Sequence, residues 1–315
     1  MIILKRQDIE NLIDFSKCAD AIQQAYRDYS NGQINQPPVG HIVFPEHQGD
    51  CHIKYGQIKN DDVFVVKIAA GFPENAKLGL PTGNGLSLVL SSKTGEAVAL
   101  LHDEMLMTDI RTAIGGAIAT RLLARENATQ LLMVGTGVQA RHQIEAHANL
   151  VGPHLKFEVW GRSKDSAEQL AQQISCAQVG VADDLAEACH KADIIVTTTA
   201  ATEPLILSDW VTPGTHITAV GADAPGKQEL DTTLVTRAAV LSADSRQQCL
   251  DHGEYQQSHR LDRISDENVS ELGEILLGRR PGRTVDEEIT IVDQTGIAAQ
   301  DIAIAKQVLL ASNHN

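Results

Sequence analysis

From residue 129 onward the chain alternates short apolar runs with helical segments: QLLMVG, VQARHQIEAHANL, KFEVWG, SAEQLAQQI, ADIIVTTT and HITAVG. Strands separated by helices pair in parallel, with the crossover helices packed on the faces of the sheet, so the alternation predicts an α/β fold with a doubly wound parallel sheet. The first of these strands runs straight into G-x-G-x-x-A, formed by Gly135, Gly137 and Ala140, and that loop opens a helix. A strand before and a helix after are the context that makes such a loop a dinucleotide fingerprint. Gly135 permits the tight turn, Gly137 lets the backbone approach a pyrophosphate, and Ala140 lets helix and strand pack closely.

The second strand bears on which dinucleotide fits. A site for NAD usually ends that strand with Asp or Glu on the ribose 2′-hydroxyl. Here EVWGRSK ends it with Gly161, Arg162 and Ser163. No carboxylate repels a 2′-phosphate, and Arg162 offers it a charge-assisted contact, so NADPH fits better than NADH, with NADH possible. Val138 and Gln139 in the loop, with Thr198, Thr199 and Val220 at the carboxyl ends of later strands, complete the expected cofactor contacts.

The N-terminal part has a different rhythm. Ile9, Leu12, Ile13, Phe15, Ala19, Ile22, Ala25 and Tyr26 follow a helical period over residues 8 to 31, which Asn31-Gly32 stops. GHIVFP, CHIKYG, VFVVKIAAG, LSLVLSS and AVALLH then follow one another without helices between them, the pattern of an antiparallel or mixed sheet. MTDIRTAIGGAIATRLLA reads as one long helix starting near Thr108 or Asp109. A boundary near residue 120 falls in or just after it, with no flexible linker.

A formal net charge of -15 disfavours nucleic acid and anionic membranes as partners. No stretch approaches the roughly 20 apolar residues that span a bilayer. The N-terminal MIILKRQDIENL reaches charge too soon for a signal peptide, so a cytoplasmic location is expected. The five cysteines are scattered and never in C-x-x-C spacing, and the twelve histidines show no metal-ligand spacing; no metal is expected. GADAPGK, residues 221 to 227, imitates a phosphate-gripping P-loop, but Gln228 stands where a Ser or Thr is required and Pro225 removes a backbone donor. Its Asp223 lies in a turn just after HITAV, and ligands of open parallel sheets sit outside the carboxyl ends of the strands.

Several motifs in order, VVKIAAGF, LGLPTGNGL, MTDIRTA, VGTGVQAR, TEPLI and VGADAPGKQEL, make the sequence resemble the ornithine cyclodeaminase and μ-crystallin family over nearly its whole length. The resemblance implies a homodimer. It implies a Rossmann dinucleotide-binding domain over residues 121–296 and an α+β substrate-binding and dimerisation domain over 1–120, to which a C-terminal helix, 297–315, returns. It assigns Lys67 and Arg111 to the substrate carboxylate, Thr82 to a further hydroxyl contact, and Asp223 to proton transfer, with Lys67 counted among the catalytic residues. Two positions depart from the family pattern: His41 stands where a carboxylate-binding arginine is common, and Lys54 where cyclodeaminases carry an acid near the substrate. Such a site suits a carboxylate better than a diamino acid. The expected activity is therefore NAD(P)H-dependent reduction of a cyclic imino acid, Δ1-pyrroline-2-carboxylate or Δ1-piperideine-2-carboxylate, to L-proline or L-pipecolate. The alternatives are an ornithine cyclodeaminase that recycles NAD+ and a non-enzymatic binder of nicotinamide or another small ligand.

Overall fold

The long helix Leu106–Leu123 is where the chain passes from one structural unit to the other. In the computed structural model, which describes residues 1–312, the first unit comprises Met1–Arg111 and the chain from Ile297 onward, and the second Thr112–Gly296. The division lies earlier in the helix than the residue-120 boundary suggested by the sequence rhythm. Of the expected C-terminal helix, Ala298–Ser312 is helical and residues 313–315 lie outside the described residues. The long helix begins earlier than Thr108: the Asp103 carboxylate accepts from Met107 N at 2.9 Å and so caps it.

In the first unit the strands are β1 (Ile2–Lys5), β2 (Ile34–Asn35), β3 (Gly40–Phe44), β4 (Gly49–Ile58), β5 (Val63–Gly71), β6 (Gly83–Ser91) and β7 (Ala97–His102). They form one sheet in the order β1-β7-β6-β5-β4-β2, with β3 also on β4. All pairs are antiparallel except β1 on β7. The helix expected over residues 8 to 31 is broken into Arg6–Leu12 and Phe15–Ser30. Asp14 causes the break by capping the second piece, accepting from Lys17 N at 3.1 Å. That piece buries Cys18, Ala19, Ile22, Ala25 and Tyr26 and packs against the last helix. The last helix also lies on β4 and β5, where Gly56 leaves room for Ile302.

The second unit holds β8 (Gln130–Val134), β9 (Lys156–Trp160), β10 (Val179–Val181), β11 (Ile194–Thr197), β12 (His216–Ala219), β13 (Val240–Ala243), β14 (Val269–Glu271) and β15 (Thr290–Asp293). They form an all-parallel sheet in the order β10-β9-β8-β11-β12-β15-β13-β14. Its strands read as continuous apolar runs because both faces are covered. Leu131, Met133, Ile194 and Val196 enter one apolar cluster, whereas Leu132, Val134 and Ile195 enter the other. Sequence order reverses between β8 and β11, which opens a crevice beyond their carboxyl ends.

Candidate active site and cofactor cleft

β5 brings Lys67 into the interior of the first unit, and the long helix brings Arg111 to the same place; their exposures are 6% and 5%. Both donate to one oxygen, Asp301 Oδ1 on the last helix, from Lys67 Nζ at 2.8 Å and Arg111 Nε at 2.9 Å. Gln300 extends the network: its Oε1 accepts from Arg111 Nη1 at 3.2 Å, and its Nε2 donates to the Tyr26 hydroxyl at 2.8 Å. Burial pulls the Lys67 ammonium down to about 7; Asp301 opposes this, while Arg111 and Lys54 add to it. For Asp301, burial pushes the carboxyl up, but Lys67 and Arg111 outweigh it and hold the group below its ordinary value. Two buried cations thus share one carboxylate, leaving excess positive charge suited to an anion.

Lys54 is half-buried and stands directly across the ladder from Lys67. His41 stands across from His52, with ring centroids 4.4 Å apart. Asp50 Oδ2 lies 3.1 Å from His52 Nε2 and 3.5 Å from His41 Nε2. Burial lowers the His52 pKa, against the pull of Asp50. Among the described residues, His41, Asp50 and His52 are the one group that brings three possible metal ligands together, within 4.8 Å of one another. Sequence spacing could not show this, because strand register and not a motif assembles it. Thr82 is exposed just before β6, and its carbonyl accepts from Phe72 N.

In the second unit, a cleft of about 440 Å³ is lined by Gly135, Gly137, Gly161, Arg162, Thr198 and Thr199, among others. Gly135 has φ +129, and a Cβ there would lie 2.5 Å from Thr198 Oγ1, so both conformation and space demand glycine. At Gly137 an added Cβ meets nothing within 4 Å. The helix Val138–Leu150 starts at that point, so its first backbone N–H groups and the open backbone of Gly137 fit a dinucleotide pyrophosphate. Ala140 is fully buried where the helix packs on the sheet. Val138 is 58% exposed, and Val220 is buried. Arg162 is exposed on the cleft wall, whereas Ser163 caps the next helix by accepting from Ser166 N.

Asp223 is exposed, and Lys227 Nζ donates to its Oδ1 at 2.6 Å. The lysine that imitates a P-loop is thus the partner of the acid four residues before it. Sequence reasoning missed Glu229, which holds this end of the sheet together. Its carboxylate accepts from Thr197 Oγ1 at 2.6 Å, Thr199 N at 2.6 Å, Thr199 Oγ1 at 2.7 Å and Gly221 N at 2.8 Å. Burial raises its pKa despite those donors. Asp301 was missed as well, although its signal was readable: an acid inside the apolar helix IAAQDIAIA, the counterpart of a lysine inside the apolar strand VFVVKIAAG.

The model of the ornithine cyclodeaminase/mu-crystallin family matches residues 1–312. The chain belongs to that family. It is 33% identical to a Δ1-pyrroline-2-carboxylate reductase of Bacillus cereus, over 97% of this chain and 95% of that protein. The structure of Thermococcus litoralis Δ1-pyrroline-2-carboxylate reductase in complex with NADH and L-proline superposes with a TM-score of 0.93 at 28% identity, covering 100% of this chain and 98% of that one. An archaeal alanine dehydrogenase dimer with bound NAD gives a TM-score of 0.90 at 31% identity, covering 100% of this chain and 96% of that one.

Proposed function

We propose that this family member is a nicotinamide-dependent imine reductase that converts Δ1-pyrroline-2-carboxylate to L-proline and accepts the six-membered Δ1-piperideine-2-carboxylate. The observation that carries the reading is the buried Lys67–Asp301–Arg111 triplet, a socket with surplus positive charge in a chain so similar to proteins named for this reaction. Lys67 and Arg111 bind the substrate carboxylate, and the arginine fork fixes its plane. Bound NAD(P)H supplies the hydride, which adds to the C=N carbon while the nitrogen gains a proton. Asp223 supplies or relays that proton to the nitrogen, with Lys227 Nζ held against its Oδ1.

Gly161, Arg162 and Ser163 at the end of β9 carry no acid against a 2′-phosphate, which supports NADPH as the preferred cofactor with NADH also accepted. The dimeric alanine dehydrogenase supports a homodimer. A diamino acid substrate is disfavoured, since its second ammonium would approach a sheet face where Lys54 already opposes Lys67. The deciding assay follows oxidation of NADPH and NADH with pyrroline-2-carboxylate, piperideine-2-carboxylate, and pyruvate plus ammonia, alongside ornithine with NAD+. Turnover of the cyclic imines is expected; proline formed from ornithine, with neither imine reduced, overturns the reading.

A further inference from the structure

We infer that Met105 forms the wall that sets the size of the substrate body, favouring the five-membered imine over its six-membered homologue. This rests on the carboxylate-anchoring role of Lys67 and Arg111 proposed above. Paired residues of an antiparallel ladder share a face, and that face continues at every second residue. Lys67 therefore shares its face with Ala69 and Gly71 on β5 and with Ser87, Gly85 and Gly83 on β6. The last helix lies on this sheet, with Ile302 over Gly56 and Asp301 at Lys67. Past Lys67 this face carries Ala69 and Gly71 on β5 and Gly85 and Gly83 on β6, with His52 and Asp50 beside them on β4, so a substrate anchored by its carboxylate finds room for its body over the floor of small residues on β5 and β6.

Met105 reaches over that floor. A Cβ added at Gly85 would lie 3.2 Å from Met105 Sδ, and one added at Gly83 would lie 3.3 Å from Met105 Cγ. The two glycines of TGNG are thus small where the methionine side chain covers them. The backbone is bent to place it: Glu104 has φ 52 and Met105 φ 74, two consecutive non-glycine residues in a left-handed conformation that L side chains rarely adopt. The helix that carries Arg111 begins at the next residue and is capped by Asp103, two residues before Met105, so wall and anchor are held by one short stretch of chain. A methionine thioether presents an apolar, adaptable surface with no donor, which matches the methylene edge of a small ring and not a polar tail.

The test compares kcat/KM for piperideine-2-carboxylate and pyrroline-2-carboxylate in wild type, Met105→Ala and Met105→Phe, and measures L-pipecolate and L-proline binding by calorimetry with NADH present. Met105→Ala should raise the piperideine-to-pyrroline ratio about tenfold, the lower end of what one methylene in an apolar pocket is worth. Met105→Phe should lower it by a similar factor, which keeps the test decisive if the alanine variant misfolds. The pipecolate-to-proline affinity ratio should move in the same directions. Imine reduction with both ratios unchanged in folded, NADH-binding variants overturns the wall and leaves the reductase reading intact. Shifted affinity ratios without imine reduction in wild type overturn the reductase reading and leave the wall, and absence of binding by either amino acid overturns both.

Discussion

Lys67 and Arg111 both donate to Asp301 Oδ1, and burial pulls the pKa of the Lys67 ammonium down to about 7. A bound carboxylate favours the ammonium form, so binding is linked to uptake of a proton wherever free Lys67 is deprotonated. Affinity for L-proline should accordingly be flat below about pH 7 and fall as pH rises above it, approaching a tenfold loss per pH unit. Calorimetric titration across that range checks this, and Lys67→Met should bind weakly with no such slope. Asp223 makes a separate prediction. It pairs with Lys227, in an exposed pair of the kind that contributes about 0–1 kcal/mol, so Asp223→Asn should leave stability and cofactor affinity nearly unchanged. As the proton donor, however, its loss should slow imine reduction by about two orders of magnitude or more, read from kcat. Near-full activity in that variant would assign the proton to another group. At this scale the sequence exposed the charged residues that break a pattern, such as Lys67 in an apolar strand. It hid those whose meaning lies in their partners: Asp301 is 234 residues from Lys67, and only the fold makes them neighbours.

The glycine loop shows how two similar residues do different work within one element. Gly135 needs its left-handed φ and has Thr198 against it, so any side chain there perturbs folding itself. Gly137 has φ -84 and open space where a Cβ would go, a backbone that other residues adopt without strain. Gly137→Val should therefore fold with a nearly unchanged melting temperature while losing NADPH and NADH binding, because its side chain fills the space a pyrophosphate needs. Fluorescence titration of the reduced nicotinamide checks this, and undiminished binding would remove the loop from the cofactor site. Elements with a strong period were readable in sequence: VQARHQIEAHANL is a helix over the same residues, Val138–Leu150. The short parallel strand β1 was not, because four residues carry too little pattern and its pairing with β7 is a distant contact. Nor was the break at Asp14, where a capping carboxylate prevails over an apolar period that runs through it.

Across the whole molecule, the two units place their buried charge differently, and this predicts opposite responses to alkaline pH. The second unit buries Glu229, Glu254 and Asp293, whose pKa values are all raised, chiefly by burial. A carboxyl with a raised folded pKa holds its proton when the unfolded chain has lost it, so its contribution to stability is greatest below about pH 4 and is lost as pH rises toward the folded value. His147 and His216 are also buried there, and burial lowers them to about 4 and about 3. They oppose the carboxyls only up to about pH 6.5, above which a histidine is neutral in the unfolded chain too. From about pH 7 upward Glu254 and Asp293, both raised well above their ordinary values, should therefore cost the second unit stability, by up to about 1.4 kcal/mol per pH unit for each of them that stays protonated. In the first unit the lowered Lys67 acts the other way, because between about pH 7 and its unfolded value the unfolded chain binds the extra proton and stability rises. A single melting curve would mix the two, so the measurement is amide hydrogen exchange resolved by unit at about pH 7 and about pH 8.5, converted to opening free energies. Asp293→Asn should lessen the decline in the second unit alone, since the amide mimics the protonated acid and cannot ionise. A second unit equally stable at both pH values would mean that water or a bound cofactor lets these carboxyls ionise, and the buried network would then lose its claim to pH sensitivity.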